Sequence, residues 1–123
     1  MKKIEAHMFW AYGDLSQLEI LCCQSFLKNA YQLNLWTYGT VSNAPIGVTV
    51  RDAREILPES LVFLNSKGSY AGFSDFFRYA VLNTQGGLYS DTDVIALKPA
   101  DQLPLKPFLV TENCDDGVNI KIN

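Results

Sequence analysis

A chain of 123 residues is long enough for one modest domain and too short for two. Its 48% hydrophobic and 19% charged residues match a globular protein with a core, which excludes a disordered or collagen-like chain. The net charge of −3 offers no basic field for a polyphosphate backbone, so nucleic acid is not an expected partner.

Met1-Lys2-Lys3 is basic, but Glu5 and His7 break the apolar run behind it, so no signal peptide is expected. No stretch reaches the ~20 apolar residues of a membrane span. Ile4 to Trp10 suits a first buried strand, with His7 in the core or at an edge. Tyr12-Gly13-Asp14 then turns the chain, and Ser16 and Glu19 have the spacing of a capping box. A helix is expected from there to about Asn29-Ala30, burying Leu18, Leu21, Cys22, Ser25 and Phe26. Three cysteines cannot close a disulfide framework, and Cys114 has no second ligand at a zinc spacing. Cys22, Cys23 and Cys114 therefore read as reduced thiols of a cytoplasmic protein.

Gln32 to Tyr38 reads as a second strand and Val48 to Val50 as a third, followed by a helical turn over 52–58 that Pro58 closes. Phe73 to Leu82 reads as a helix with an apolar stripe of Phe73, Phe76, Phe77, Ala80 and Val81, ended by Gly86-Gly87. Leu88 to Leu97 is strand-like on both sides of Asp91-Thr92-Asp93, and Phe108 to Glu112 is one more strand. This alternation predicts a single α/β domain over 1–123 with a largely parallel sheet.

The chemistry gathers late in the chain. Asp91 and Asp93 are separated by one residue, so in extended backbone they share a face. Both interrupt an apolar run, where two like charges are costly unless a cation offsets them. Mg²⁺ or Mn²⁺ is the natural counter-charge, and such ions complete their shell with substrate phosphates. Asp75 and Arg78 lie three apart on one helix face, and that helix runs through Gly86-Gly87 into the acidic strand. Taken singly, an Asp-x-Asp is more often a turn decoration, and Asp75–Arg78 an ordinary surface pair worth ~0.3–0.5 kcal/mol.

Taken together, Phe73-Ser74-Asp75-Phe76-Phe77-Arg78-Tyr79, Leu82, Gly86-Gly87-Leu88-Tyr89-Ser90-Asp91-Thr92-Asp93-Val94 and Leu97-Lys98-Pro99 form one signature. It resembles that of the DXD-motif sugar-binding glycosyltransferases (family 32-like), which include capsular and lipopolysaccharide sugar transferases, initiation-type mannosyltransferases and glucosylating toxin domains. Trp10, Leu15-Ser16, Leu35-Trp36-Thr37-Tyr38 and Asp52-Ala53 agree more loosely. The resemblance implies a GT-A-like nucleotide-diphospho-sugar transferase fold, here truncated to the N-terminal Rossmann-like donor-binding half. It implies that Asp93 binds Mn²⁺ or Mg²⁺, and that Asp91 meets the sugar or ribose and the water shell of the ion. Asp75 and Arg78 would bind the transferred sugar, and Trp10 would stack on the base. Tyr79 and Tyr89 are expected to pack.

The implied reaction is transfer of a sugar from a UDP-sugar to an acceptor hydroxyl, with retention, in polysaccharide or glycan synthesis. The acceptor would be a glycan, a lipid-linked sugar or a protein, and the enzyme would act in the cytoplasm, peripherally at the membrane. Family members run well past the strand near Phe108, so the chain is expected to bind donor weakly, transfer little and self-associate through its truncated edge. The alternative is a truncated non-catalytic domain that binds nucleotide sugar or a partner. A haloacid-dehalogenase-type phosphatase fits less well, because its nucleophilic Asp comes early in the domain whereas Asp91 comes late.

Overall fold

The computed structural model describes residues 3–102, together with the backbone of two strands at 110–113 and 119–122. In chain order the elements are β1 (Glu5–Phe9), α1 (Gln17–Lys28), β2 (Gln32–Thr37), β3 (Thr49–Asp52), α2 (Ala71–Gln85) and β4 (Leu88–Tyr89). They form a parallel four-stranded sheet in the order β3-β2-β1-β4. The α/β class with a parallel sheet is as the alternation predicts. Strands β5 (Val110–Asn113) and β6 (Asn119–Ile122) pair only with each other, antiparallel. The expected strand over 108–112 overlaps β5, and Phe108 and Cys114 lie outside the described residues.

The central strands β1 and β2 are covered on both faces, which is why they read as nearly unbroken apolar runs. Their alternation assigns each face. Ala6, Met8, Leu33 and Leu35 pack with Cys22, Cys23 and Phe26 of α1, while Phe9 and Trp36 pack with Phe73, Phe77 and Val81 of α2. On the α2 face the Phe9 ring stacks on Phe77 at 4.6 Å between centroids and leans on Phe73 at 5.6 Å.

Both helices are turned relative to the expected faces. In α1 the Ser16 N–H donates to Glu19 Oε1 at 2.7 Å, so the capping box is as read. The buried residues, however, are Glu19, Cys22, Cys23 and Phe26, while Leu18 and Leu21 are half exposed. Burying both adjacent thiols rotates the helix by about one residue step, ~100°, and swings Ser25 to the flank. In α2 the buried line is Phe73, Phe77 and Val81, a strict i, i+4, i+8 row. Phe76 is 63% exposed and belongs to the outer face, where it meets Phe63 edge-on at 5.9 Å.

β4 is far shorter than the expected 88–97 strand. Among the described residues its partner is β1, and the ladder ends where the Ser90 N–H donates to the His7 carbonyl at 2.9 Å. On the other edge of β1 the Trp10 N–H donates to the Trp36 carbonyl of β2. Beyond Ser90, residues 91–99 leave the sheet as irregular chain with a turn at Thr92-Asp93.

His7 lies fully buried in β1, and Trp36 Nε1–H donates to its Nδ1 at 3.1 Å. That leaves Nε2–H to donate to the Gly86 carbonyl at 3.0 Å, holding the turn that feeds β4. The turn needs both glycines. Gly86 and Gly87 have φ of +69° and +85°, and a Cβ on Gly87 would stand 2.5 Å from the Glu5 carbonyl oxygen.

Two outcomes follow from this junction. Gly87→Ala should lower unfolding stability by about 2–3 kcal/mol through strain and the clash, read from urea denaturation. Burial pushes the His7 pKa below the ordinary 6.5, against smaller opposing effects of Glu5 and the Gly86 carbonyl. The unfolded chain therefore takes up a proton here before the folded one does. Stability should be fully present above pH 6.5 and fall as pH drops below it. Melting curves between about pH 7 and 5.5 should show this fall in the native chain and a flatter profile in His7→Gln.

Candidate active site

In this sheet the strand order reverses between β1 and β4. The chain leaves β1 through α1 towards β2 and β3, and returns through α2 on the other face to β4. Loops after two such strands diverge and leave a crevice at their carboxyl ends, where ligands of open α/β sheets bind. A cleft of about 770 Å³ opens at that place.

Four segments wall it, one of them the first turn of α1 with Leu18 and Glu19. Trp10 and Tyr12 follow β1, Asp91-Thr92-Asp93 follow β4, and Ser69, Tyr70, Ser74 and Asp75 come from the start of α2. Four of the five expected site residues, Trp10, Asp75, Asp91 and Asp93, therefore meet in one cavity. Arg78 is the exception. It sits one turn behind Asp75, and its side chain is 12% exposed against 63% for Asp75. Its guanidinium donates to Asp75 Oδ1 at 3.1 Å and lies 5.3 Å and 5.9 Å from the ring centroids of Tyr79 and Tyr89. Arg78 Nε is buried with no partner among the described residues. The arrangement holds the Asp75 carboxylate from behind, with the cation fixed between two tyrosines.

The reason expected for the acidic pair does not hold. Asp91 and Asp93 are exposed and stand on a turn beyond the sheet, so neither extended backbone nor burial cost aligns them. What brings them to the cleft is the early end of β4. Exposed carboxylates are hard oxygen donors. The described residues contain no group of three or more His, Cys, Asp or Glu side chains placed to hold an ion. The two aspartates fit Mg²⁺ or Mn²⁺ in the manner of ions that keep several waters and share a ligand's phosphates.

Neighbouring groups stay protonated. Burial, followed by the charge of Asp91, raises the Tyr89 pKa far above its ordinary value, so the phenol remains neutral. Burial pushes the Cys22 thiol up to about 12 and Cys23 to about 11, which leaves both poor nucleophiles. Tyr89 packs on the α2-side core as expected, whereas Tyr79 is largely exposed. Trp10 lines the cleft while packing on the α1-side core, with its Nε1–H donated to the Gly13 carbonyl at 2.9 Å.

Tyr12 and Tyr70 carried no signal in the sequence. They join the cleft because α2 begins at Ala71, earlier than its apolar stripe suggests, and their rings lie 5.8 Å apart. Tyr12 is also held outside the cleft, donating to Glu59 at 2.7 Å, and Glu59 in turn pairs with Arg54. A second, apolar concavity of about 700 Å³ lies on the outer face of α2 between Leu61, Phe63, Phe76 and Tyr79, and none of the expected site residues lines it.

Comparison with known proteins agrees with this geometry. Over 53 residues the chain is 38% identical to an initiation-specific α-1,6-mannosyltransferase of Candida albicans. That match covers 43% of this chain and 11% of the length of the mannosyltransferase. No solved structure gives a significant match. The model of the glycosyltransferase sugar-binding region containing the DXD motif matches residues 5–109, from the start of β1 to beyond the acidic pair, and the chain belongs to that family.

Proposed function

We propose that the protein is a metal-dependent glycosyltransferase that moves a sugar, with retention, from a nucleoside-diphosphate sugar to an acceptor hydroxyl. A UDP-sugar is the expected donor, a glycan, lipid-linked sugar or protein the expected acceptor, and polysaccharide or glycan synthesis the setting. The observation that carries this reading is the meeting of Asp91 and Asp93 with Asp75 and Trp10 in the crevice between β1 and β4. The buried, reduced Cys22 and Cys23 support a reducing, cytoplasmic compartment. Among the described residues no helix is long and apolar enough to cross a membrane.

Each wall has its own task in this reading. Asp93 would hold Mn²⁺ or Mg²⁺ directly, and Asp91 would meet the sugar or ribose and the water shell of the ion. The bound ion supplies charge stabilisation to the departing diphosphate. Asp75, held from behind by Arg78, accepts hydrogen bonds from sugar hydroxyls. Trp10, anchored through Gly13, offers its ring to the base. Tyr89 stays a neutral phenol beside Asp91 and helps to wall off water.

Two measurements test these assignments. Calorimetry should show UDP binding strengthened by Mn²⁺, with Asp93→Asn weakening it about tenfold or more in the presence of the ion and removing the ion's effect. The variant should melt like the native chain, because Asp93 stands outside the sheet. Equal UDP affinity with and without chelator would remove the metal. The second variant is Arg78→Lys, which fills the space between the tyrosines but cannot reproduce the planar hold on Asp75. UDP-sugar affinity should drop about tenfold, the worth of one charged hydrogen bond, while UDP affinity holds. A matching drop for UDP would place Arg78 on the diphosphate instead.

A further inference from the structure

The acidic pair lies on a stretch that the hydrophobic core touches only through the small side chain of Ala96, before Ala100 enters the α1-side core. Val94 and Ile95, which follow Asp93, are 45% and 46% exposed, and Leu97 is 85% exposed. Burial of the large side chains therefore does little to fix where this segment runs beyond the sheet. Its near end is fixed at Ser90, whose N–H donates to the His7 carbonyl. Its far end is fixed by side chains of α1.

Ala96 stands three residues beyond Asp93, and both of its backbone groups are taken by that helix. Its N–H donates to Ser25 Oγ at 2.9 Å, and its carbonyl accepts from Asn29 Nδ2 at 2.9 Å. Ser25 gives its own hydroxyl proton to the Cys22 carbonyl at 2.7 Å, which turns an oxygen lone pair towards Ala96. Asn29 spends its remaining side-chain amide proton on the Ser25 carbonyl at 2.8 Å, and its backbone carbonyl accepts from the Ala100 N–H at 2.9 Å. One turn earlier, Cys22 Sγ lies 3.6 Å from the Asp91 carbonyl oxygen. Cys22, Ser25 and Asn29 are spaced three and four apart, so they form one line along α1. The rotation of α1 that leaves Leu18 and Leu21 half exposed is what brings this line beneath the segment.

We propose that Ser25 and Asn29 are positioning residues for the acidic pair. By pegging Ala96 they set the far end of the 91–95 bridge, and so the reach of the Asp91 and Asp93 carboxylates towards an ion shared with the donor diphosphate. The inference rests on the metal-dependent reading of the site. Neither residue touches the cleft, so each acts through the backbone it holds.

The test titrates MnCl₂ into the purified chain with UDP and reads the ion concentration at half-maximal nucleotide binding, with melting temperatures taken alongside. Ser25→Ala removes the acceptor for Ala96 N–H, and Asn29→Asp removes the donor to its carbonyl at nearly constant volume. Each should raise the half-saturating Mn²⁺ concentration about tenfold, the scale seen when a support behind a metal ligand is lost. Ser25→Thr keeps the hydroxyl and should restore the native value. UDP affinity in excess chelator should be the same in all four proteins, which a merely structural role would not give. Native half-saturation in Ser25→Ala and Asn29→Asp would overturn the proposal, and so would an equal loss of UDP binding with and without the ion. If Asn29→Asp does not fold, Ser25→Ala against Ser25→Thr decides. Native UDP binding indifferent to Mn²⁺ would overturn the metal reading itself, before any variant is made.

Discussion

Burial keeps the imidazole of His7 neutral, and a Trp36 N–H occupies its Nδ1, which leaves Nε2–H for the Gly86 carbonyl. One ring on β1 thereby joins β2 on one side and the turn into β4 on the other. The consequence reaches through the sheet, because β4 has two strand residues and, among the described residues, a single neighbour. Without that carbonyl bond, the positive-φ glycines would have little to hold them against β1, and the crevice between β1 and β4 would lose one wall. A buried polar side chain is costly unless all its atoms are satisfied; here each ring nitrogen has its partner.

From that junction the site is assembled by where elements stop. The ladder of β4 on β1 ends at Ser90, and the aspartates fall on a turn at the mouth of the crevice. α2 starts at Ala71, so its first turn faces the same opening with Asp75, and Arg78 lies one turn deeper. The Asp75–Arg78 pair is asymmetric, the cation mostly buried and the carboxylate mostly exposed. As a surface ion pair it adds little stability. Its effect is orientation, since a fixed guanidinium limits the directions its partner can take.

Much of this was legible in the residues and some was not. The strand–helix alternation and the Ser16–Glu19 capping box depend on local spacing, and both appear as read. The double glycine was visible as a helix end, but its second task, letting β4 pass within contact of the Glu5 carbonyl, depends on tertiary approach. The helix faces were misjudged where two apolar choices competed. Leu18 and Leu21 look more hydrophobic than Cys23 and Glu19, yet the thiols and the capping carboxylate are the ones turned inward. The acidic pair lines the cleft, but not on the buried strand that the sequence suggests. An apolar run of Val94, Ile95 and Leu97 suggests a buried strand, but a strand needs a neighbour to receive its hydrogen bonds.

The exposed turn that carries Asp91 and Asp93 has a consequence for how such a domain changes over time. Sheet, glycine junction and aromatic packing form one block of constraints, whereas the acidic turn draws on them without repaying any. Substitutions there escape the filter that removes unfolded proteins, so sequence drift can retune or silence the chemistry while the scaffold persists. In descendants of this domain an intact fold would be poor testimony to an intact reaction, and the spelling of three residues on one turn would be the better witness.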